Sequence, residues 1–168
     1  PFLLTTRRTI QFNPASDAWL DVSAFYALLH TTRPAGQPDL QSLEEAVGLC
    51  RGTFLEDVTV TDCAELEEWL LLTREQLRRL ALESLHQLAE CYEQLGQWDR
   101  ALPHARRQVE LEPWDERAER QVMRLLALTG RRNAALAQYE ICRTRLAKEL
   151  GVEPERETTQ LFERIRDG

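Results

Sequence analysis

Residues 88–113 read LAECYEQLGQWDRALPHARRQVELEP, and residues 122–147 read VMRLLALTGRRNAALAQYEICRTRLA, which is the same pattern displaced by 34 positions. The displacement aligns Gly96 with Gly130, and each glycine has an apolar residue four positions before it and an alanine five positions after it. Glycine readily adopts the left-handed backbone that ends a helix, and alanine lets the following helix approach closely. Each stretch therefore predicts two antiparallel helices joined by a tight turn.

A period of 34 residues with glycine at the turn and alanine in the second helix is typical of tetratricopeptide repeats. Such helical pairs stack into curved arrays that bind other macromolecules and carry out no covalent chemistry of their own. Few residues are identical between the two stretches. The prediction therefore depends on the spacing of the turn and of the apolar positions.

The rest of the chain also shows helical spacing of apolar residues. Asp21, the pair Ser42 and Glu45, and Asp115 are placed to cap helices. A loop rich in proline and glycine is expected over residues 31–38. We expect the helices to cover about residues 22–31, 40–50, 62–95, 98–112, 116–129, 131–150 and a final stretch that starts at Pro154.

These elements predict an all-α fold, a right-handed superhelix of about three tetratricopeptide-like pairs with a capping helix. The pairs cover about residues 21–50, 62–111 and 115–150. In the last helix, Leu161 and Phe162 lie on an apolar face that would seal the end of the array. Residues 1–12 differ, because β-branched and aromatic residues flank a polar turn there and predict a short hairpin or extended arm.

Composition excludes several classes of protein. The chain has 168 residues, enough for one compact domain, and a net charge of −7, so phosphate backbones repel it and we expect weak binding to nucleic acid. No apolar run approaches the roughly 20 residues of a membrane helix, and the first residues show no signal-peptide pattern. Because the sequence starts without Met, we interpret it as part of a longer polypeptide.

Motifs of enzymes and metal sites are missing. The sequence has no GxxxxGK[ST] loop, no HExxH helix, no GxSxG elbow and no CxxC pair. The three histidines fall on different predicted helices, and the four cysteines are expected to be free and mostly buried thiols. We therefore expect no catalytic residues, no metal site and no cofactor.

One constellation of charged residues points to a binding surface. In tetratricopeptide arrays, positions 2, 5 and 9 of each repeat line the concave groove. Counting back from the two turn glycines, these positions are occupied by Glu83, His86, Glu90, Arg117, Arg120 and Arg124.

Two interpretations of this stripe remain open. Arginine forks opposite an acidic neighbour could clamp an acidic or carboxylate-bearing peptide. Alternatively, the charges pair across adjacent helices or simply face solvent. If the groove binds a partner, Arg120→Glu weakens that binding without lowering the melting temperature.

The large aromatic residues also allow two interpretations. Trp69, Trp98 and Trp114, together with Tyr92 and Tyr139, could stack on the bases of a single-stranded nucleic acid. Their helical spacing in an acidic chain favours the alternative, which is packing in the core.

Four stretches resemble one known family. They are residues 20–29, residues 49–55 (LCRGTFL), residues 67–82 (EEWLLLTREQLRRLAL) and residues 113–165 (PWDERAERQVMRLLALTGRRNAALAQYEICRTRLAKELGVEPERETTQLFERI). The chain is similar in them to the bacterial transcriptional activator domain, which occurs in the Streptomyces antibiotic regulatory protein family and in related large regulators. Residues 149–154 (ELGVEP), followed by an amphipathic helix, are the most specific part of the resemblance.

The resemblance implies a role in transcription. In that family the domain follows a winged-helix DNA-binding domain, so residues 1–17 would be the remnant hairpin and linker of that domain and residues 18–168 the activator domain. The partners would be proteins: the chain's own DNA-binding domain, the transcription machinery or a second copy in a homodimer. DNA would be bound only through the missing N-terminal domain, and the protein would be cytoplasmic and not bound to a membrane.

Two other functions fit the same sequence. One is a generic tetratricopeptide adaptor that binds an acidic peptide outside transcription. The other is an enzyme or a small-molecule sensor, which would require a large enclosed pocket with converging polar groups.

Overall fold

Helices dominate the computed structural model, which describes residues 2–13, 15–30, 39–58 and 63–168. Within these ranges the strands are β1 (Leu3–Thr5) and β2 (Ile10–Phe12). The helices are α1 (Asp21–Leu29), α2 (Leu40–Leu49), α3 (Ala64–Gln94), α4 (Trp98–Leu111), α5 (Glu116–Leu128), α6 (Arg132–Glu149) and α7 (Arg156–Asp167). The predicted all-α class with short N-terminal strands is confirmed.

The chain forms two compact units, Pro1–Leu49 and Cys50–Gly168. The first unit contains the hairpin and the pair α1–α2, and the second contains the pairs α3–α4 and α5–α6 followed by α7. The expected loop over residues 31–38 and the expected helix start at Asp62 lie outside the described residues.

The predicted N-terminal hairpin is present. Strands β1 and β2 are antiparallel, with Leu3 opposite Phe12 and Thr5 opposite Ile10. In the turn, the Thr6 hydroxyl oxygen accepts hydrogen bonds from two backbone N–H groups. The side chains of both strands are exposed.

The start of α1 differs from the prediction. Leu20, in an extended conformation, is the N-cap residue, and Asp21 is already helical. The Asp21 carboxylate accepts a hydrogen bond from the Val22 backbone N–H, next to it in the chain, rather than from the second or third helical residue as an N-cap would. The predicted cap at Asp21 is therefore wrong by one residue.

The predicted capping box of α2 is wrong, because the helix starts two residues before Ser42. Asp39 takes the capping role, since its carboxylate accepts hydrogen bonds from both the backbone N–H and the hydroxyl of Ser42. Glu45 instead accepts a hydrogen bond from the Gln41 side chain one helical turn earlier. Helices α1 and α2 pack together, and Leu43 of α2 is buried.

The two turn glycines behave as the repeat pattern predicts. Gly96 has a φ of +69° and Gly130 a φ of +74°, both in the left-handed region. After α3, the Gln97 N–H donates to the Tyr92 carbonyl and the Gly96 N–H donates to the Glu93 carbonyl. The same two bonds recur after α5, so both helices end in the Schellman motif, which turns the chain into the next helix.

Helix α3 is continuous over 31 residues. Its second half packs against α4 through buried side chains, among them Leu85, Leu88 and Tyr92. The segment before α3 is fixed by Arg74, whose guanidinium donates hydrogen bonds to the carbonyls of Phe54 and Leu55.

The remaining helices stack in chain order. Helix α4 packs on both α3 and α5, α5 packs on α6, and α7 contacts both α5 and α6. The predicted cap of α5 is confirmed, since the Asp115 carboxylate accepts from the Arg117 backbone N–H. Helix α7 closes the array with Leu161, and Phe162 stacks on Tyr139 with ring centroids 4.2 Å apart.

Helix α7 is also held by α6 through polar contacts. The Arg132 guanidinium, at the start of α6, donates hydrogen bonds to the carbonyls of Ile165 and Arg166 near the end of α7. Carbonyls in the last turn of a helix lack intrahelical partners, so Arg132 satisfies two of them.

We expect Gly130→Ala to destabilise the second unit by about 1 kcal/mol, because alanine disfavours the left-handed backbone there. The matched control is Gly48→Ala, where the same added methyl group lies in open space on α2 and should stabilise that helix. Urea unfolding followed by circular dichroism measures both changes. Equal stability of the wild type and Gly130→Ala would contradict the role assigned to this turn.

Candidate protein-binding surface

The six predicted groove residues lie on two helices, Glu83, His86 and Glu90 on α3 and the three arginines on α5. Glu83 and Glu90 are exposed and His86 is half-buried. The His86 Nε2 atom lies 3.2 Å from a carboxylate oxygen of Glu90, one helical turn away. The α3 part of the predicted groove is thus a mainly acidic, accessible row.

Arg124 is held by an ion pair between α5 and α3. Its Nε and Nη2 atoms donate to the two carboxylate oxygens of Glu93 at 2.5 and 3.0 Å. Burial by itself would raise the pKa of Glu93, but the hydrogen bond and charge of Arg124 outweigh it and hold that pKa below its ordinary value. Gln121 also donates to Glu93, at 3.4 Å.

Arg120 is held in the same way between α5 and the start of α7. Its Nη1 atom donates to the Glu155 carboxylate at 2.6 Å and to the Thr158 hydroxyl at 2.9 Å. The Arg120 side chain is 19% exposed, and Thr158 is fully buried. Here the alternative interpretation, in which charges pair across adjacent helices, describes both Arg120 and Arg124.

Arg117 differs from the other two arginines. It is exposed, and within the part of the chain that the structure describes its guanidinium has no ion pair. The groove itself stays a prediction. Besides the half-exposed Arg124, which is already paired with Glu93, its accessible charges are those of Glu83, Glu90 and Arg117, so any partner would meet a mixed surface rather than a row of three unpaired arginine forks.

Sequence reasoning missed the acidic partners of these arginines. Glu93 and Glu155 lie 31 and 35 residues from Arg124 and Arg120, which is close to one repeat. A search for opposite charges separated by about one repeat, rather than by one helical turn, could have found them.

A buried polar cluster lies behind the arginine stripe. The Glu119 side chain is fully buried and accepts hydrogen bonds from Gln138 at 2.7 Å and from Arg145 at 3.1 Å. Arg145 also donates to the Pro113 carbonyl and so joins α6 to the start of the α5 repeat. Burial raises the pKa of Glu119, while Gln138 and Arg145 oppose that shift. The cluster fixes α6 on α5.

The aromatic residues divide between core and surface. Tyr92 and Tyr139 are buried, as the core-packing interpretation predicts. Trp69, Trp98 and Trp114 are exposed, so that interpretation is wrong for the tryptophans. Their positions explain the difference, because Trp98 begins a helix, Trp114 lies between two helices, and Trp69 lies in the half of α3 that precedes its contact with α4.

Chemistry-bearing groups are sparse in the described part of the chain. No group of three or more His, Cys, Asp or Glu side chains there could hold a metal ion, and no described helix is both long and apolar enough to span a membrane. None of the four cysteines, all of which lie in the described residues, forms a disulfide. Only Cys142 is buried, so the expectation of mostly buried thiols is wrong. Burial raises the pKa of the Cys142 thiol to about 12, which makes it a poor nucleophile.

A known family of domains matches most of this chain. The model of the bacterial transcriptional activator domain covers residues 20–166, most of the chain. The chain belongs to this family. This match confirms the family resemblance read from the sequence. The chain is therefore a module related to transcription activation in bacteria, and its family is a regulatory one. A comparison with curated proteins gives no match.

The structure changes the expectation for Arg120→Glu. The substitution removes the ion pair with Glu155 and leaves the Thr158 hydroxyl without its donor. It also brings a third carboxylate next to Glu155 and Glu116, which contact each other through the Glu155 backbone N–H. We expect a loss of about 2 kcal/mol and a lower melting temperature in a thermal scan.

The matched control for that variant is Arg117→Glu, the same charge reversal on the exposed face of the same helix. We expect its melting temperature to stay within about 2 °C of the wild type, since surface substitutions rarely cost more than about 0.5 kcal/mol. Equal melting temperatures for the two variants would show that the Arg120 contacts contribute nothing to stability.

The ion pair of Glu93 with Arg124 predicts a pH dependence of stability. The pKa of Glu93 is lower in the folded chain than its unfolded value near 4.5, so the pair stabilises the fold above that value and is lost as the pH falls through the folded value. We expect Glu93→Gln to be less stable than the wild type by about 1 kcal/mol at neutral pH, and we expect this difference to shrink as the pH is lowered from 4.5 toward about 3.

Urea unfolding at the two pH values measures this difference. Glu140→Gln is the control, because Glu140 pairs with Arg143 on the exposed face of α6, where both side chains are about half exposed. A Glu93→Gln deficit that persists unchanged in acid would contradict the assigned role of the charge.

Proposed function

We propose that the chain is the regulatory protein–protein interaction module of a bacterial transcription factor. Membership in the bacterial transcriptional activator domain family is the observation that carries this proposal. The stacked pairs α3–α4 and α5–α6 support it, because repeat arrays of this kind expose long continuous faces to other proteins. The module mediates self-association, contact with the transcription machinery or restraint of DNA binding.

Residues 1–17 are, in this proposal, the remnant hairpin and linker of a preceding winged-helix domain, and residues 18–168 are the activator domain. The hairpin supports this assignment, since two strands alone are at most marginally stable in water. Its apolar side chains, including those of Phe2, Ile10 and Phe12, are exposed in the structure. DNA is then bound through the preceding domain, and the protein acts in the cytoplasm.

The groove formed by α3 and α5 is the proposed partner-binding surface. Glu83, Glu90 and Arg117 are its accessible charged groups outside the ion pairs between helices, and Arg120 and the half-exposed Arg124 support the groove through those pairs. A generic adaptor that clamps an acidic peptide draws less support. Two of the three arginines it would use are already paired with carboxylates.

Binding to purified bacterial RNA polymerase holoenzyme and to the separately produced preceding domain tests the proposal. We expect Arg117→Glu to weaken the complex about three- to tenfold, because the substitution reverses one accessible charge of the groove. Biolayer interferometry with the whole chain immobilised measures the affinity.

Arg106→Glu is the matched control, since Arg106 is an exposed arginine on α4, outside the groove. Its affinity should equal that of the wild type. No detectable binding to either partner together with no self-association in sedimentation velocity, in a chain whose circular dichroism is that of a folded helical protein, would refute the proposed function. Equal weakening by both variants would refute the groove while leaving the function standing.

A further inference from the structure

The first half of α3 presents an apolar surface to solvent. Trp69 is 50% exposed and Leu72 is 62% exposed, and Leu66 is exposed one turn before Trp69. Phe54, in the segment before the helix, packs edge-on against Trp69 with ring centroids 6.0 Å apart, and half of the Trp69 side chain still faces solvent. Large apolar side chains exposed on neighbouring turns of one helix mark an interaction surface.

Acidic side chains accompany this apolar surface. Residues 52–73 contain six acidic residues and no basic one. Glu65 and Glu68 are exposed, and they lie on the same side of the helix as Trp69 and Leu72, because the four positions follow the spacing i, i+3, i+4 and i+7. We call the surface formed by Glu65, Leu66, Glu68, Trp69 and Leu72 the acidic face.

The basic residues of α3 do not neutralise the acidic face, because all of them follow it in the helix. Arg74 donates hydrogen bonds to carbonyls of the segment before α3, and Arg78 is bonded to Glu75 and Glu112. The hydrogen bond from Arg78 and, more weakly, the charge of the exposed Arg79 lower the pKa of Glu75. Arg79 thus offsets part of the Glu75 charge, and the acidic face keeps its own.

The acidic face lies in line with the proposed groove. Glu83 and Glu90 follow Trp69 by 14 and 21 residues, and since seven residues make almost two helical turns, the three side chains share one side of α3. The helix is continuous over this distance, which is about 30 Å at 1.5 Å per residue. A partner that lies along α3 therefore meets two carboxylates of the groove and then an apolar anchor.

We propose that the acidic face is the docking site of a basic amphipathic helix that belongs to the protein partner. The apolar side chains of that helix pack on Trp69 and Leu72, and its lysine or arginine side chains meet Glu65 and Glu68. Recognition of an amphipathic helix through apolar anchors is a recurring mode of protein–protein binding. The inference rests on the proposed interaction function and names the chemistry of the partner.

Charge distinguishes this partner from other occupants of the face. A second copy of the chain would bring a second set of the same carboxylates to the contact, and the chain as a whole has a net charge of −7. Nucleic acids and the anionic surface of a membrane are repelled for the same reason. A helix with an apolar stripe and basic flanks complements both the tryptophan and the glutamates.

A labelled peptide tests the docking site. The probe is an amphipathic peptide of about 18 residues, five helical turns, with leucines on one side and lysines on the other, and its control has the same composition in scrambled order. Fluorescence anisotropy with the whole chain measures both affinities. We expect the amphipathic peptide to bind at least about tenfold more tightly than the scrambled one, and to bind more weakly as salt screens the charges.

Two substitutions locate the bound peptide. We expect Leu72→Gln and Glu68→Lys each to weaken binding about three- to tenfold, because the first removes an apolar contact and the second reverses a charge that meets the lysines. The matched controls are Ile141→Gln, at a side chain 50% exposed on α6, and Glu163→Lys, at an exposed position on α7. Both controls should bind the peptide as the wild type does, and circular dichroism checks that all four variants are folded.

Three results would overturn the docking site. The first is equal binding of the amphipathic and the scrambled peptide, and the second is equal weakening by a variant and its matched control. The third concerns a second copy of the chain as the occupant. A dimer in sedimentation velocity that Leu72→Gln dissociates would assign the acidic face to self-association.

These results are separable from those that test the proposed function. A chain that binds RNA polymerase or the preceding domain but not the amphipathic peptide refutes the docking site alone. A chain that binds the peptide through Leu72 and Glu68, but neither self-associates nor binds either protein, refutes the wider regulatory role and leaves the docking site standing.

Discussion

Close approach of neighbouring helices through alanine is the constraint on which the second unit depends. Ala101 and Ala105 on α4, Ala118 on α5 and Ala135 on α6 are fully or almost fully buried. A larger side chain at these positions would push the helices apart. The hydrogen bonds and ion pairs between repeats would then be too long to form. Gly96 and Gly130, which adopt the left-handed conformation after α3 and α5, also favour close packing of the helices. Each glycine reverses the chain in a short turn, so the next helix packs against the one just completed.

Arginine links between successive helical pairs add specificity to this packing. Lys148 is the only lysine of the chain, so nearly all its basic groups are guanidinium forks. Arg124 and Arg131 reach carboxylates on α3 and α4, and Arg78 reaches Glu112 just after the end of α4. Such partly exposed pairs contribute about 1 kcal/mol or less apiece, so burial of apolar side chains supplies most of the stability and the pairs fix how the repeats align.

The sequence predicted those features that depend on local geometry. Gly96, Gly130 and the Asp115 cap could be read directly, because a left-handed turn and an N-cap each restrict the residue type. The α2 cap was misplaced, since Asp39 and Ser42 are both good capping residues and tertiary packing decides between them. Trp69 was misassigned because apolar spacing identifies a face but not the length of the helix that covers it. The partners of Arg120 and Arg124 depend on how the repeats stack. The spacing of residues along one helix does not predict that stacking.

The seal formed by α7 limits how such an array can grow. Arg132 occupies the carbonyls at the end of α7, and Phe162 covers the ring of Tyr139, so the face on which another pair would stack is already filled. Gene duplication that lengthens this scaffold would have to insert new helices ahead of α7 and re-create the Arg132 contact on the inserted pair. A helical pair added after α7 would instead have no complementary face to pack against, because α7 already covers the last pair.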